Sequence, residues 1–165
     1  MNCVMCGSKM KKKKLLPYHY IECGLGNVWL LGVDVFECLN SICKDEGVII
    51  TQLDQLHDAI ACNVASQEQK LLPKEIRFLR TYLGFSGVDF AKYISVSPET
   101  VSRWENGNLK ISETSERFLR VLVLAKKGPF RNYDELGRFA NQERTTSKKT
   151  TFKLIQSHWK ETKAA

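Results

Sequence analysis

Two cysteine pairs sit near the start of the chain: Cys3-Val-Met-Cys6, followed by Gly7, and Cys38-Leu-Asn-Ser-Ile-Cys43 beyond a 31-residue spacer. Each pair can bend so that two thiolates face one point, and two such knuckles satisfy a tetrahedral Zn2+ ion with metal–sulfur bonds of ~2.3 Å. Gly7 permits the tight approach after the second ligand. An ion with four sulfur ligands has no open position for water, so the expected zinc, one per chain, is structural and not catalytic. A small β module with few apolar residues per strand would owe much of its folding to that ion. The alternative is a set of buried thiols or a redox pair. Three disulfides would need an export signal and a chain too short for a core. The chain has 165 residues, and Lys11 to Lys14 interrupt what would be the apolar core of a signal peptide. With 43% apolar and 26% charged residues the composition is globular, and no apolar run approaches membrane-spanning length. The expectation is a soluble, cytoplasmic chain with reduced thiols, in which Cys23 and Cys62 are packed and not ligating.

Around the cysteines the chemistry is that of strands. From Asn27 to Phe36 nearly every residue is apolar or β-favouring, with Trp29, Leu31, Val33 and Val35 on one face and Val28, Leu30 and Phe36 on the other. Gly24, Gly26 and Asn27 supply a turn before this run. From Thr51 the period becomes helical, with Leu53, Leu56 and Ile60 in register and Thr51 and Asp54 placed as an N-cap pair, so a single helix is expected to close the module. The stretch from Asn63 to Lys70 is polar and lacks periodicity. It marks the expected boundary, with few apolar contacts to join what lies on either side, and Pro73 can open a new helix.

Residues 74 to 127 break into short helical segments, and the second module is expected to be all-helical. Beyond Gly128-Pro129 a short helix near Tyr133 to Ala140 is possible. The last 20 or so residues read as a mobile basic tail, with a helix over Phe152 to Trp159 as the alternative. The predicted organisation is α+β: a zinc-binding domain with its closing helix over 1–66, a helical domain over 71–127, and a basic extension over 128–165. The net charge of +7 is unevenly spread. Residues 1–70 carry 7 basic and 8 acidic side chains, residues 71–144 carry 13 and 9, and residues 145–165 carry 5 and 1. A polyanionic partner would therefore meet the second part of the chain.

The densest signal lies between Gly87 and Gly107. Phe90, Ile94, Val96, Val101 and Trp104 fall where two short helices must pack, and Ala91 is small enough for their close crossing. Ser97-Pro98 starts the second helix with a cap and a preset first turn. With Val101 and Trp104 inward, Glu99, Thr100, Ser102, Arg103 and Asn106 face outward, the form of a recognition helix that enters a major groove. The plain alternative is a helical hairpin with a solvated polar face.

The segment Phe85-Ser-Gly-Val-Asp-Phe-Ala-Lys-Tyr-Ile-Ser-Val-Ser-Pro-Glu-Thr-Val-Ser-Arg-Trp-Glu-Asn-Gly107 resembles the helix-turn-helix of the Xre/Cro class. Tyr20-Ile-Glu-Cys-Gly-Leu-Gly-Asn-Val-Trp-Leu-Leu-Gly32, with the second cysteine pair and Leu53-Asp-Gln-Leu-His-Asp-Ala-Ile-Ala61, is similar to the YgiT-type zinc finger. In this order the two resemble the MqsA group of antitoxins of bacterial type II toxin–antitoxin systems, over roughly residues 1 to 126. The second pair is C-x4-C where that family usually has C-x2-C. Ser95 replaces a frequent turn glycine, and Gly87 stands where a DNA-contacting glutamine is common. The resemblance implies an autoregulatory repressor whose zinc module neutralises a small protein toxin and whose helical module forms a homodimer on operator DNA. Arg103 matches a base-contacting arginine of the family. Glu99 falls at a contact position where an acid could only accept, for example from cytosine N4. Ser97, Thr100 and Asn106 match positions that touch phosphate or sugar.

A helix-turn-helix regulator without a toxin partner fits the same residues. Enzymatic readings fit poorly. A thioredoxin-like site needs a strand before its C-x-x-C, which Cys3 lacks, and a nuclease needs clustered carboxylates or a histidine-based acid–base set. His19, His57 and His158 have neither ligand spacing nor an orienting acid beside them and read as surface or edge histidines. Lys11 to Lys14 read as a solvated loop.

Overall fold

The computed structural model describes residues 1–13, 17–126 and 143–162 and is mixed α and β, with five helices and two sheets among them. The chain divides into two compact units. One comprises residues 1–20, 27–56 and 149–165, the other residues 21–26 and 57–148. No helix among the described residues is long and apolar enough to cross a membrane.

The first unit holds both sheets. Strands β1 (Met10–Lys12), β4 (Asp34–Cys38) and β5 (Glu46–Ile49) form an antiparallel sheet in the order β1-β4-β5. Strands β2 (Tyr18–His19), β3 (Val28–Leu31), β6 (Thr150–Ile155) and β7 (His158–Thr162) form the other in the order β2-β3-β6-β7. The apolar run that the sequence suggests as one strand is thus two strands in two sheets. It breaks at Gly32, whose φ of 80° lies where L side chains rarely go. Val28 and Leu30 are buried, as expected of one face, while Trp29 and Leu31 opposite them are only partly covered. Lys11 and Lys12 belong to β1 instead of a loop, and Lys13 bonds through its backbone to Val35 and by ion pairing to Glu37 and Glu46. Lys14 lies outside the described residues.

The C-terminal segment overturns the expected mobile or helical tail. β6 pairs parallel with β3, Val28 opposite Thr150 and Leu30 opposite Phe152, and antiparallel with β7. Phe152 and Trp159 are buried, and Trp159 Nε1 donates to the Thr51 carbonyl at 3.1 Å. The turn between β6 and β7 is Gln156-Ser157, with φ of 48° and 62°, the mirror-image geometry that suits a two-residue hairpin.

The second unit is helical: α1 (Leu53–Ala65, entering from the first unit), α2 (Pro73–Tyr82), α3 (Gly87–Tyr93), α4 (Pro98–Glu105) and α5 (Glu113–Ala125). The residue before α1 is Gln52, not Thr51, and the Gln52 carbonyl takes the first helical bond from Leu56. Ser86, Ser97 and Ser112 each cap a helix by accepting the N–H three residues on. Pro73 opens α2, with Glu75 accepting the Leu72 N–H at 2.8 Å.

The polar stretch from Asn63 to Lys70 is not a loose boundary. Val64 and Ala65 are buried, and the wholly buried Arg120 on α5 donates to the carbonyls of Val64, Ala65, Gln67 and Gln69. Glu116, equally buried, pairs with Arg120 at 2.7 Å and accepts the Leu71 N–H at 2.8 Å. Helix α1 therefore does not simply close the first module. From His57 onward it belongs to the helical unit, and a cut at residue 71 would strip Arg120 of its carbonyl acceptors. The helix expected near Tyr133 to Ala140 lies outside the described residues.

Candidate metal centre and helix-turn-helix surface

Both knuckles are built by backbone bonds. Cys3 N donates to Ser8 O at 2.8 Å and Gly7 N to Cys3 O at 2.9 Å, a turn that needs the left-handed Gly7, φ 72°. Across the site Cys38 ends β4. Its N–H bonds to Asp45 O at 2.9 Å and Cys43 N to Asn40 O at 3.0 Å, so the four-residue insert folds into a closed turn through Lys44, φ 49°. The longer spacing of the second pair is absorbed there. The Asn40 N–H, 3.4 Å from Cys38 Sγ, is placed to support a thiolate.

The four sulfurs of Cys3, Cys6, Cys38 and Cys43 lie within 4.8 Å of one another and could hold a metal ion. Cys3 and Cys43 are 3.7 Å apart and Cys6 and Cys38 3.5 Å. Tetrahedral bonds of ~2.3 Å put ligand sulfurs about 3.8 Å apart, so the cluster already has nearly the size required. Hydrogen bonds from Ser8, then from Cys38 and Cys43, bring the Cys6 thiol down to about 6. The Asp45 backbone lowers Cys43, but burial and the Cys6 and Cys3 sulfurs outweigh it and push that thiol up to about 12. A bound cation would favour the thiolate form of all four side chains. Sequence reasoning missed Asp45, whose carboxylate lies 3.3 Å from Cys3 Sγ. Its place after Cys43 carries no spacing signal. Cys23 and Cys62 lie outside the cluster and are partly buried, burial pushing the Cys23 thiol up. His19 stacks on Trp29 with centroids 4.4 Å apart, and His158 bonds to Gln156 O.

The second site is the exposed side of α4. Phe90, Ala91, Val101 and Trp104 are buried where α3 and α4 pack, while Ile94 and Val96 are partly covered. Glu99, Ser102, Arg103 and Asn106 are exposed; Thr100 is half-buried, its hydroxyl 3.1 Å from the Ser97 hydroxyl. Ser95 makes the turn with φ 59°, a strained value for a residue with a Cβ. Glu99 is held below the usual carboxylate range by its own backbone N–H and by the Ser97 hydroxyl, so it is an acceptor only. Among the described residues Arg103 has no ion pair, and the surface pair with Glu99 that could have occupied it is absent.

Sequence reasoning also missed the support of α4. Glu105, nearly buried, accepts from Arg80 on α2 through both carboxylate oxygens and from Arg77 at 3.0 Å. Arg77 reaches on to Asn106 Oδ1 at 3.1 Å. This fork fixes the end of α4 to α2. No short-range pattern announces it, because the partners are 25 to 29 residues apart. No family model matches the chain, and no curated protein or solved structure is detectably similar to it.

Proposed function

We propose that the chain is a sequence-specific DNA-binding repressor of the MqsA-like antitoxin kind, in which α4 reads the major groove and a structural Zn2+ ion on Cys3, Cys6, Cys38 and Cys43 organises the β unit. The observation that carries the reading is the division of α4. Val101, Trp104 and Glu105 are buried or tied to α2, and Glu99, Ser102 and Arg103 are offered outward on a helix with a capped N-terminus, while the exposed C-cap Asn106 is held by Arg77. A guanidinium one turn inside such a helix can donate two hydrogen bonds to guanine O6 and N7, a contact that discriminates by ~1–3 kcal/mol. Ser97, Thr100 and Asn106 would serve phosphate or sugar. Four thiolates of this spacing suit Zn2+ and leave no site for water, so the reading assigns no catalysis to the protein. Toxin neutralisation by the metal unit and dimerisation through the helical unit rest on the resemblance of the motifs.

The test is Arg103→Ala on DNA from the protein's own upstream region and on scrambled DNA across a salt series. A 5- to 150-fold loss confined to the upstream DNA is expected for a base reader. Equal losses on both DNAs would make Arg103 a phosphate contact and move specificity elsewhere. Co-purification of a small protein from the native host tests the antitoxin role; its absence leaves a DNA-binding regulator without a toxin partner.

A further inference from the structure

We infer that the face of the β2-β3-β6-β7 sheet carrying Lys153 and Lys160 is a second nucleic-acid surface, which holds the phosphate backbone of duplex DNA without reading its sequence. Residues paired directly across a sheet share a face. The register therefore places His19, Trp29, Lys153, His158 and Lys160 together, opposite the face that buries Val28, Leu30, Phe152 and Trp159. Lys149 joins them, its Nζ lying 4.3 Å from the centre of the Trp29 ring. The paired residues of this face include no acid; Glu161 lies opposite Phe152 and so on the other face.

Lys153 and Lys160 are directly opposite each other, both exposed, and neither has an ion-pair partner among the described residues. Like charges in that position destabilise a strand pair. A lysine on an edge strand is a common guard against edge-to-edge pairing, and that would account for Lys160 on β7. It does not account for Lys153, because β6 is an inner strand between β3 and β7. An anion bridging the two ammonium groups removes the repulsion and turns the pair into a clamp.

The form of the surface selects the anion. His19 stacks on Trp29 from β2 with planes 8° apart, and Lys149 approaches the ring from the β6 side. The ring is thus engaged from both neighbours and is not offered to an unstacked base, as a platform for single strands would be. Lysines act as point charges, suited to phosphates and not to base edges. This inference is independent of the role given to α4.

The experiment uses the full, metal-loaded chain with Lys153→Gln and Lys160→Gln combined, a change that removes the cross-strand repulsion and should leave the thermal midpoint unchanged or raised. Binding to a random-sequence duplex is measured across a salt series. The slope of log K against log salt should fall by about 2, with roughly a tenfold loss at low salt, because each phosphate contact releases about one counterion. Lys153→Arg with Lys160→Arg should retain the slope. In the unaltered protein the same two lysines should be protected from acetylation by the duplex. An unchanged slope, tighter binding of a single strand of equal length, or equal displacement by poly-glutamate would each overturn the inference. If the lysine variants are silent while Arg103→Ala loses upstream-DNA affinity, the sheet surface fails and the reading of α4 stands. If random duplex is held through the lysines but Arg103→Ala changes nothing, the reverse is true.

Discussion

In the β unit Cys3 lies against Cys43, Val28 pairs with Thr150, and Trp159 bonds to the backbone at Thr51. In the helical unit Ser86, Ser97 and Ser112 each satisfy a backbone N–H only three residues away. The first arrangement adds long-loop closures to its local β4–β5 and β6–β7 pairings, and each closure costs chain entropy. The second builds elements locally and then locks them with two buried arginine–carboxylate centres, Arg120 with Glu116 and Arg80 with Glu105. A short-stranded unit with distant contacts gains most from a metal cluster. A capped helical unit has no need of one and depends instead on a few desolvated charges whose removal is costly.

Three changes of decreasing size can break or sharpen that contrast. Chelation of the metal, or Cys43→Ser, should unfold the β unit, since apparent binding energies of structural zinc are on the order of 10 kcal/mol. The helical circular-dichroism signal should survive, and Cys23→Ser should keep the metal. Loss of the helical signal on chelation would show that the two units do not stand on different supports.

Arg120→Ala reverses the experiment, because it leaves the Glu116 carboxylate buried without its cation and the carbonyls from Val64 to Gln69 without their donor. Breaking such a centre costs ~3–5 kcal/mol. Urea unfolding should register that cost in the helical signal while the protein's metal content stays that of the unaltered chain. A cost below ~1 kcal/mol would mean that the 63–70 stretch is held by something other than Arg120.

The smallest effects come from the left-handed turns. Ser95→Gly should stabilise the helical unit by ~0.5–1 kcal/mol, as glycine tolerates φ near +60° and serine does not. Gln156→Asn with Ser157→Gly should do the same for the β unit, these being the residues a type I′ hairpin turn prefers. Each gain should appear in its own unit's melting transition. Destabilisation by either would argue that the turn is not left-handed in solution.

The helix pair α3 and α4 was legible because its signals are local: Ser97-Pro98 begins α4, and the spacing of Val101 and Trp104 buries one side. The cysteine cluster was legible because ligand spacing is a short-range code. Three features escaped. Gln156-Ser157 lacks the Asn-Gly or Asp-Gly signature, so the β6–β7 hairpin looked like a polar tail. The partner of β6 is β3, over a hundred residues earlier, and no window of sequence contains both. The polar look of 63–70 concealed a segment held through backbone carbonyls, which every residue type possesses. Gly32 was visible but its effect was underrated: a run of β-favouring residues says nothing about whether one glycine will divide it between two sheets.

The parallel pairing of β3 with β6 also sets a clock. During synthesis β3 emerges early beside β2, yet its other neighbour, β6, is not made until the whole helical unit has been translated, roughly 6–25 s later at common elongation rates. Through that interval Val28 to Leu31 present an unpaired apolar edge, the kind of strand that joins other chains when it meets them. A chain interrupted between Lys126 and Lys148 therefore has the segments of all five helices but a sheet that cannot be completed. On a polysome, where sister chains grow side by side, the time to reach residue 150 becomes the time available for mispairing.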